Sequence, residues 1–218
     1  MNMMLTKLLK VEDNREHAIN EAVSILKNSE IIVFPTETVY GIGCSIYDEL
    51  SINRIYEIKG RSAEKPLAAH VSSIDMIKDI CQDLPDAFFA LADKFLPGAL
   101  SVILNAKSKL PESIRKKNNT VSVRYPDNEI TLEIINKLGE PLAATSANIS
   151  GMPSSRNASE ADAYFNGVIA AIIDGGACRF GIESTILSLT DDSPKVLREG
   201  FIKIQDIENV LNRKLLYY

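Results

Sequence analysis

At 218 residues, with 45% hydrophobic and 24% charged positions, the chain has ordinary globular composition and enough length to bury a substantial core. No apolar run approaches the ~20 residues that a membrane-spanning helix needs, and the opening MNMMLTKLLKVEDNREH has neither an apolar secretory segment nor a small-residue cleavage site. A net charge of −5 argues against a surface built for sequence-blind nucleic-acid binding, while leaving room for a local basic cleft.

Helix-period and strand-period segments alternate from end to end. Ala18, Ile19, Ala22, Val23, Ile25 and Leu26 are spaced for a helix over 15–28, and the apolar run 31–34 then reads as a core strand. A helix over 49–59 stops at Gly60, a strand follows over 66–71, and helices are predicted over 74–81 and 86–95, with Pro85 at the start of the second. LSVIL (100–104) and TVSVRYP (120–126) read as strands, the second with clean period-2 alternation. A helix over 129–139 closes on glycine, and PLAATS (141–146) is another strand. Then come a short helix near 159–165, strands at 168–173, 184–189 and 195–198, and a last helix from about 203. The pattern predicts an α/β domain, one rather than two, with a mixed sheet, because some connections are too short for a helical crossover.

The chemistry-bearing residues fall where these elements end, a common placement for ligands in α/β proteins. In FPTETVYGIGC (34–44) a core strand runs into hydroxyls. If that segment is extended, Thr36, Thr38 and Tyr40 share one face and Glu37 and Val39 the other. Such a face can hold a small polar ligand such as an amino acid, and threonine's preference for strands is an equally good account. The lone Gly41-x-Gly43 lacks the further glycine and acidic residue of a dinucleotide fingerprint. Lys59, Arg61 and Lys65 crowd the end of a helix, where cations either settle the helix dipole or clamp a polyphosphate. Thr120, Ser122 and Arg124 form the polar face of their strand, and Arg124 suits a carboxylate or phosphate. Ser146, Asn148 and Ser150 alternate after another apolar strand, and Ser184 and Arg198 sit near the end of the chain. His70, inside a strand, taken alone reads as a packed histidine.

There is no HExxH, GxSxG, Walker A motif or metal-binding cysteine set. Cys44, Cys81 and Cys178 are scattered and odd in number, which reads as reduced thiols in a cytoplasmic protein. What remains is a site of hydroxyls, amides and cations suited to holding anions.

FPTETVYGIG, IKGRSAEKPL, PGALSVIL, VSVRYP, ATSANISG, ESTIL and VLREG, in this order over about residues 15–212, resemble the YrdC/TsaC family. These are the L-threonylcarbamoyladenylate synthases of the tRNA t6A pathway, and the chain resembles their short, single-domain form. The resemblance implies a twisted mixed sheet flanked by helices around a large, open, basic cleft. It implies a reaction joining L-threonine, bicarbonate and ATP, with Mg2+, into threonylcarbamoyl-AMP and pyrophosphate. By motif position it implies a threonine pocket of Thr38, His70, Arg124 and Ser184, with Ser146 near the junction of the substrates. The ATP side would comprise Arg61, Lys65, Thr120, Asn148, Ser154 and Arg198. The catalytic set would be the KxR pair Lys59 and Arg61 with the SxN pair Ser146 and Asn148. The product would pass to the tRNA threonylcarbamoyl transferase machinery, with a weak tRNA contact allowed and no membrane partner. SSRN after GMP departs from a frequent Ser-Pro-Thr wording.

The main rival is an RNA-binding module using the same cleft, against which stand the acidic balance and the 6% aromatic content without tryptophan. A second is a carbamoyl-transfer enzyme of hydrogenase-maturation type, which contains a related domain.

Overall fold

The structure, a computed structural model, describes residues 5–62, 64–115 and 118–217. The single domain expected over 1–218 also includes residues 1–4, 63, 116, 117 and 218, which lie outside the described residues. The chain runs β1 (Lys7–Lys10), α1 (Arg15–Lys27), β2 (Ile32–Phe34), β3 (Gly41–Ser45), α2 (Glu49–Lys59), β4 (Ala68–His70), α3 (Ile74–Ile80), α4 (Asp86–Phe95) and β5 (Leu100–Asn105). It continues with β6 (Thr120–Arg124), α5 (Glu129–Leu138), β7 (Leu142–Ser146), α6 (Ala158–Phe165), β8 (Ala171–Asp174), β9 (Thr185–Ser188), β10 (Lys195–Arg198), α7 (Ile204–Leu211) and β11 (Leu216–Tyr217).

All described strands join one mixed sheet in the order β1-β8-β2-β3-β7-β4-β6-β5-β9-β10-β11. The predicted elements are present. Three strands were not foreseen: β1 and β11 at the sheet edges, and β3, whose glycines disfavour a strand on propensity alone. Side chains of Asn14, Asp48, Ser73, Asn128 and Asn157 cap the starts of α1, α2, α3, α5 and α6. Gly60 and Gly139 end α2 and α5 with φ of 58° and 82°, the left-handed conformation that costs glycine least. No helix among the described residues is long and apolar enough to cross a membrane.

The pleat sorts the core into two. Ile31, Val33, Ile172 and Ala143 pack on one face of the sheet, and Ile32, Phe34, Ala171, Ile173, Leu142 and Ala144 on the other. The first face is covered by apolar residues of α2, α3, α4, α6 and α7. The second is covered by α1 and α5, which pack on β1, β8, β2 and part of β7. Farther across the sheet, this second face carries Ala68 and His70 on β4, Thr120, Ser122 and Arg124 on β6, and Ser101 and Ile103 on β5, in register with one another. Their intervening neighbours Ala69, Val121, Val123, Val102 and Leu104 belong to the first core. The clean alternation of TVSVR thus marks a strand buried on one side and polar on the other.

Phe34 pairs with Gly41 across the β2–β3 hairpin, so residues 35–40 form a wide loop and the conditional reading of an extended segment does not apply. A Cβ on Gly41 would lie 2.7 Å from the Phe34 ring, and one on Gly43 would lie 2.8 Å from the Ala143 carbonyl and 2.9 Å from the Ala144 Cβ. The glycines therefore leave room for an aromatic ring and for the backbone of β7. Gly43→Ala is expected to destabilise the fold by about 1–3 kcal/mol, as overpacking generally does, read as a lowered urea midpoint with an unchanged slope.

Candidate functional site

The uncovered part of the second sheet face is the floor of a cleft of about 610 Å³. Of the residues predicted for the site, Thr38, Arg61, Lys65, His70, Thr120, Arg124, Ser146, Ser184 and Arg198 line it. They come from separate segments, brought together by the strand order β3-β7-β4-β6-β5-β9-β10. Lys59, Asn148 and Ser154 are not part of its wall.

The loop 35–40 is held at nearly every residue. Thr131 Oγ1 donates to the Pro35 carbonyl at 2.5 Å, and Phe180 N–H donates to the Glu37 carbonyl at 2.9 Å. Tyr40 N–H donates to Ser155 O at 2.8 Å, and Ala147 N–H donates to Tyr40 O at 2.7 Å. The side chains do not alternate as in a strand. Thr36, Thr38, Val39 and Tyr40 all border the cleft; the Thr36 and Thr38 hydroxyls are 2.9 Å apart, and Tyr40 Oη donates to Gly176 O at 2.7 Å. Glu37, placed on the opposite face by the extended reading, turns to Arg124 and accepts from Nη2 at 2.5 Å. Arg124 Nη2 also reaches Thr38 Oγ1 at 3.3 Å.

Lys59 is 1% exposed, with its ammonium behind Ser146. Nζ donates to Ser146 O at 2.6 Å, Asn148 O at 2.5 Å and Asn148 Oδ1 at 3.2 Å. Burial, with the Arg61 charge adding to it, pushes Lys59 down to about 7. The three acceptors match the three N–H donors of an ammonium and favour the charged form. Asn148 is committed in turn: Oδ1 accepts from Ser146 Oγ at 2.7 Å, and Nδ2 donates to Ile149 O and Met152 O. The KxR and SxN segments are therefore one hydrogen-bonded unit that presents Ser146 and Arg61 to the cleft. Ser154 Oγ donates to Glu183 Oε1 at 2.7 Å.

Arg61 is steadied by Nε donating to Lys65 O at 2.7 Å and Nη2 to Pro66 O at 3.3 Å. Arg198 donates from Nη2 to Ser184 O at 2.8 Å, and its Nη1 lies 3.5 Å from Glu183 Oε2. Burial pushes the Arg61 guanidinium below its ordinary range, and the Arg198 cation adds to the push. A polyanion between them would relieve that strain. Ser184 Oγ meets Ser101 Oγ at 2.9 Å. Ser101 was missed in the sequence, although the alternation of β5 puts it beside Arg124. Glu37 was missed because its orientation depends on the loop being non-extended. Among the described residues, no group of three or more His, Cys, Asp and Glu is arranged to hold a metal ion.

His70 packs edge-on to Phe34, with ring centroids 5.7 Å apart, and its Nδ1 is 3.4 Å from Ala68 O. Burial first, then the Arg124 cation, push it down to about 3, so it is neutral near pH 7. Between about 3 and its ordinary value of 6.5, the unfolded chain binds a proton there that the folded protein refuses. Stability is therefore lost as pH falls through 6.5 towards 3. The wild-type urea midpoint should fall further between pH 7 and pH 5 than that of His70→Asn, which carries no such proton; equal falls would contradict the neutral assignment.

Comparison with known proteins gives the same picture from another direction. A family model described as "Telomere recombination" (Sua5, YciO, YrdC) matches residues 24–200. The threonylcarbamoyl-AMP synthase of Pyrococcus abyssi is 38% identical over 208 residues, covering 95% of this chain and 61% of that protein. The chain thus spans about three fifths of that relative's length. A putative threonylcarbamoyl-AMP synthase of Mycobacterium tuberculosis (strain H37Rv) is 33% identical over 199 residues, covering 91% of each chain. The crystal structure of P. abyssi Sua5 complexed with L-threonine superposes with a TM-score of 0.93 at 38% identity, covering 98% of this chain and 63% of that one. With the sequence blocks, the sheet and the cleft in agreement, the chain belongs to the YrdC/Sua5/TsaC family.

Proposed function

We propose that the protein is an L-threonylcarbamoyladenylate synthase, forming threonylcarbamoyl-AMP and pyrophosphate from L-threonine, bicarbonate and ATP for the t6A modification of tRNA. The observation that carries this reading is the division of one cleft into two chemistries. Thr38, neutral His70, the Glu37-paired Arg124 and Ser184 suit a zwitterionic amino acid, while Arg61, Lys65 and Arg198 suit a polyphosphate. The identification of relatives as threonylcarbamoyl-AMP synthases supports it.

In this reading the threonine carboxylate lies on Arg124 with the amine towards Ser146. Threonine ammonium and bicarbonate give N-carboxythreonine, water and a proton. The new carboxylate oxygen then attacks the α-phosphorus of ATP, and the bond to the β-phosphate bridging oxygen breaks. Arg61, Lys65 and Arg198 balance the charge that grows on the departing pyrophosphate. Lys59 and Asn148 serve by holding Ser146 and the following loop in place, so positioning supplies much of the rate. Mg2+ would enter with ATP as part of the nucleotide substrate and add positive charge beside its phosphates. A site that hydrogen-bonds the threonine hydroxyl would reject analogues lacking it, and Thr38 and Ser184 are the candidates. The adenylate would be consumed by a tRNA threonylcarbamoyl transferase.

The test is pyrophosphate release with ATP, Mg2+, bicarbonate and each amino acid in turn. Release should require both threonine and bicarbonate, and Arg61→Ala should lower kcat/KM by on the order of 10²-fold, the scale of losing one charge-stabilising donor. Release indifferent to the amino acid, or an Arg61→Ala enzyme near wild type, would overturn the reading. Salt-sensitive RNA retention without turnover would favour the RNA-binding module instead.

A further inference from the structure

Glu37 is 1% exposed and Arg124 is 3% exposed, so the charges of this pair are withdrawn from water. The pairing is incomplete. Glu37 Oε1 accepts from Arg124 Nη2 at 2.5 Å, but Glu37 Oε2 and Arg124 Nε are buried without partners. Each such orphan is destabilising, and a buried ion pair is in general weak evidence for stability. Stability alone therefore does not account for a carboxylate at this position.

The guanidinium offers five N–H donors in a rigid plane. Glu37 and Thr38 both occupy Nη2, and Nη1 makes no hydrogen bond among the described residues. The carboxylate is itself held from behind, since the loop that carries it is fixed through Pro35 O, Glu37 O and Tyr40. Burial works against the Arg124 charge and Glu37 works for it. With His70 neutral, this end of the cleft carries a net-neutral pair, unlike the cationic end at Arg61 and Arg198.

We propose that Glu37 is a positioning residue for the amino-acid substrate: it clamps Arg124 by Nη2, so that the open Nη1 side meets the substrate carboxylate in one orientation. The proposal rests on the reading of this end of the cleft as the threonine site. Glu37 does not itself touch substrate, because it is absent from the cleft wall. It also keeps Arg124 from serving as one more phosphate-binding cation, and so helps hold the two substrates at their own ends.

The experiment uses the whole chain. Calorimetry measures L-threonine binding to wild type, Glu37→Gln and Glu37→Asp, and steady-state assays give KM separately for threonine and ATP. Glu37→Gln, near in shape but uncharged, should weaken threonine binding and raise its KM by about tenfold or more, the loss expected when a charge-assisted contact is misplaced. The KM for ATP should change much less, because among the described residues neither Glu37 nor Arg124 makes a hydrogen bond or ion pair with Arg61, Lys65 or Arg198. Glu37→Asp keeps the charge on a shorter arm and should recover part of the loss. It tests the same threonine-specific effect should the Gln variant not accumulate as folded protein. KM values for threonine and ATP rising together, or a folded Gln variant binding threonine like wild type, would overturn the proposal alone. Wild type that binds no threonine would overturn the site reading, and the proposal with it.

Discussion

The structure depends on one constraint of the pleated sheet: successive side chains on a strand must point to opposite faces. Across β4, β6 and β5 the residues facing one way, such as Ala69, Val123 and Val102, pack into the larger core. Those facing the other way, His70, Arg124 and Ser101, stand in one row on the floor of the cleft. Burial on the first face holds the second in place, so the polar row is organised by the same contacts that stabilise the domain. Because α1 and α5 cover only one end of that second face, the remainder stays open to a ligand.

On this floor the walls are set by loops that hydrogen bonds make rigid. Lys59 satisfies the carbonyls of Ser146 and Asn148, and its own carbonyl accepts from Ser150. The hairpin loop 35–40 is tied to α5, to the segment after β7 and to residues 176–180. A lysine between a helix and a loop thus does structural work with a charge that burial and Arg61 oppose. Walls held in this way suit a site that must keep its ligands in one geometry.

The electrostatics vary along the cleft in a way the net charge of −5 conceals. Arg61 and Arg198 repel one another, Glu183 lies 3.5 Å from Arg198, and Glu64 also lines the cleft. Arg124 is offset by Glu37, and His70 adds no charge. One end of the cleft is thus more cationic than the other.

Most of the secondary structure was legible in the residues, because helical spacing, terminal glycines and period-2 alternation are local signals. So was the polar face of TVSVR; of the residues in the ordered blocks singled out for the site, nine border the cleft, while Lys59, Asn148 and Ser154 do not. β3 was not legible: its two glycines look unlike a strand until Phe34 and the β7 backbone are seen to fill the room they leave. The direction of Glu37 was not legible either, since a loop closed by contacts from residues far along the chain abandons the alternation that a single strand would impose. By itself the sequence determined the α/β elements, the two-faced strands and the set of cations and hydroxyls. Tertiary structure alone decided that Lys59 lies behind the wall while Arg61 lies in it, and that Glu37 meets Arg124, because hydrogen bonds between distant segments carry no local pattern.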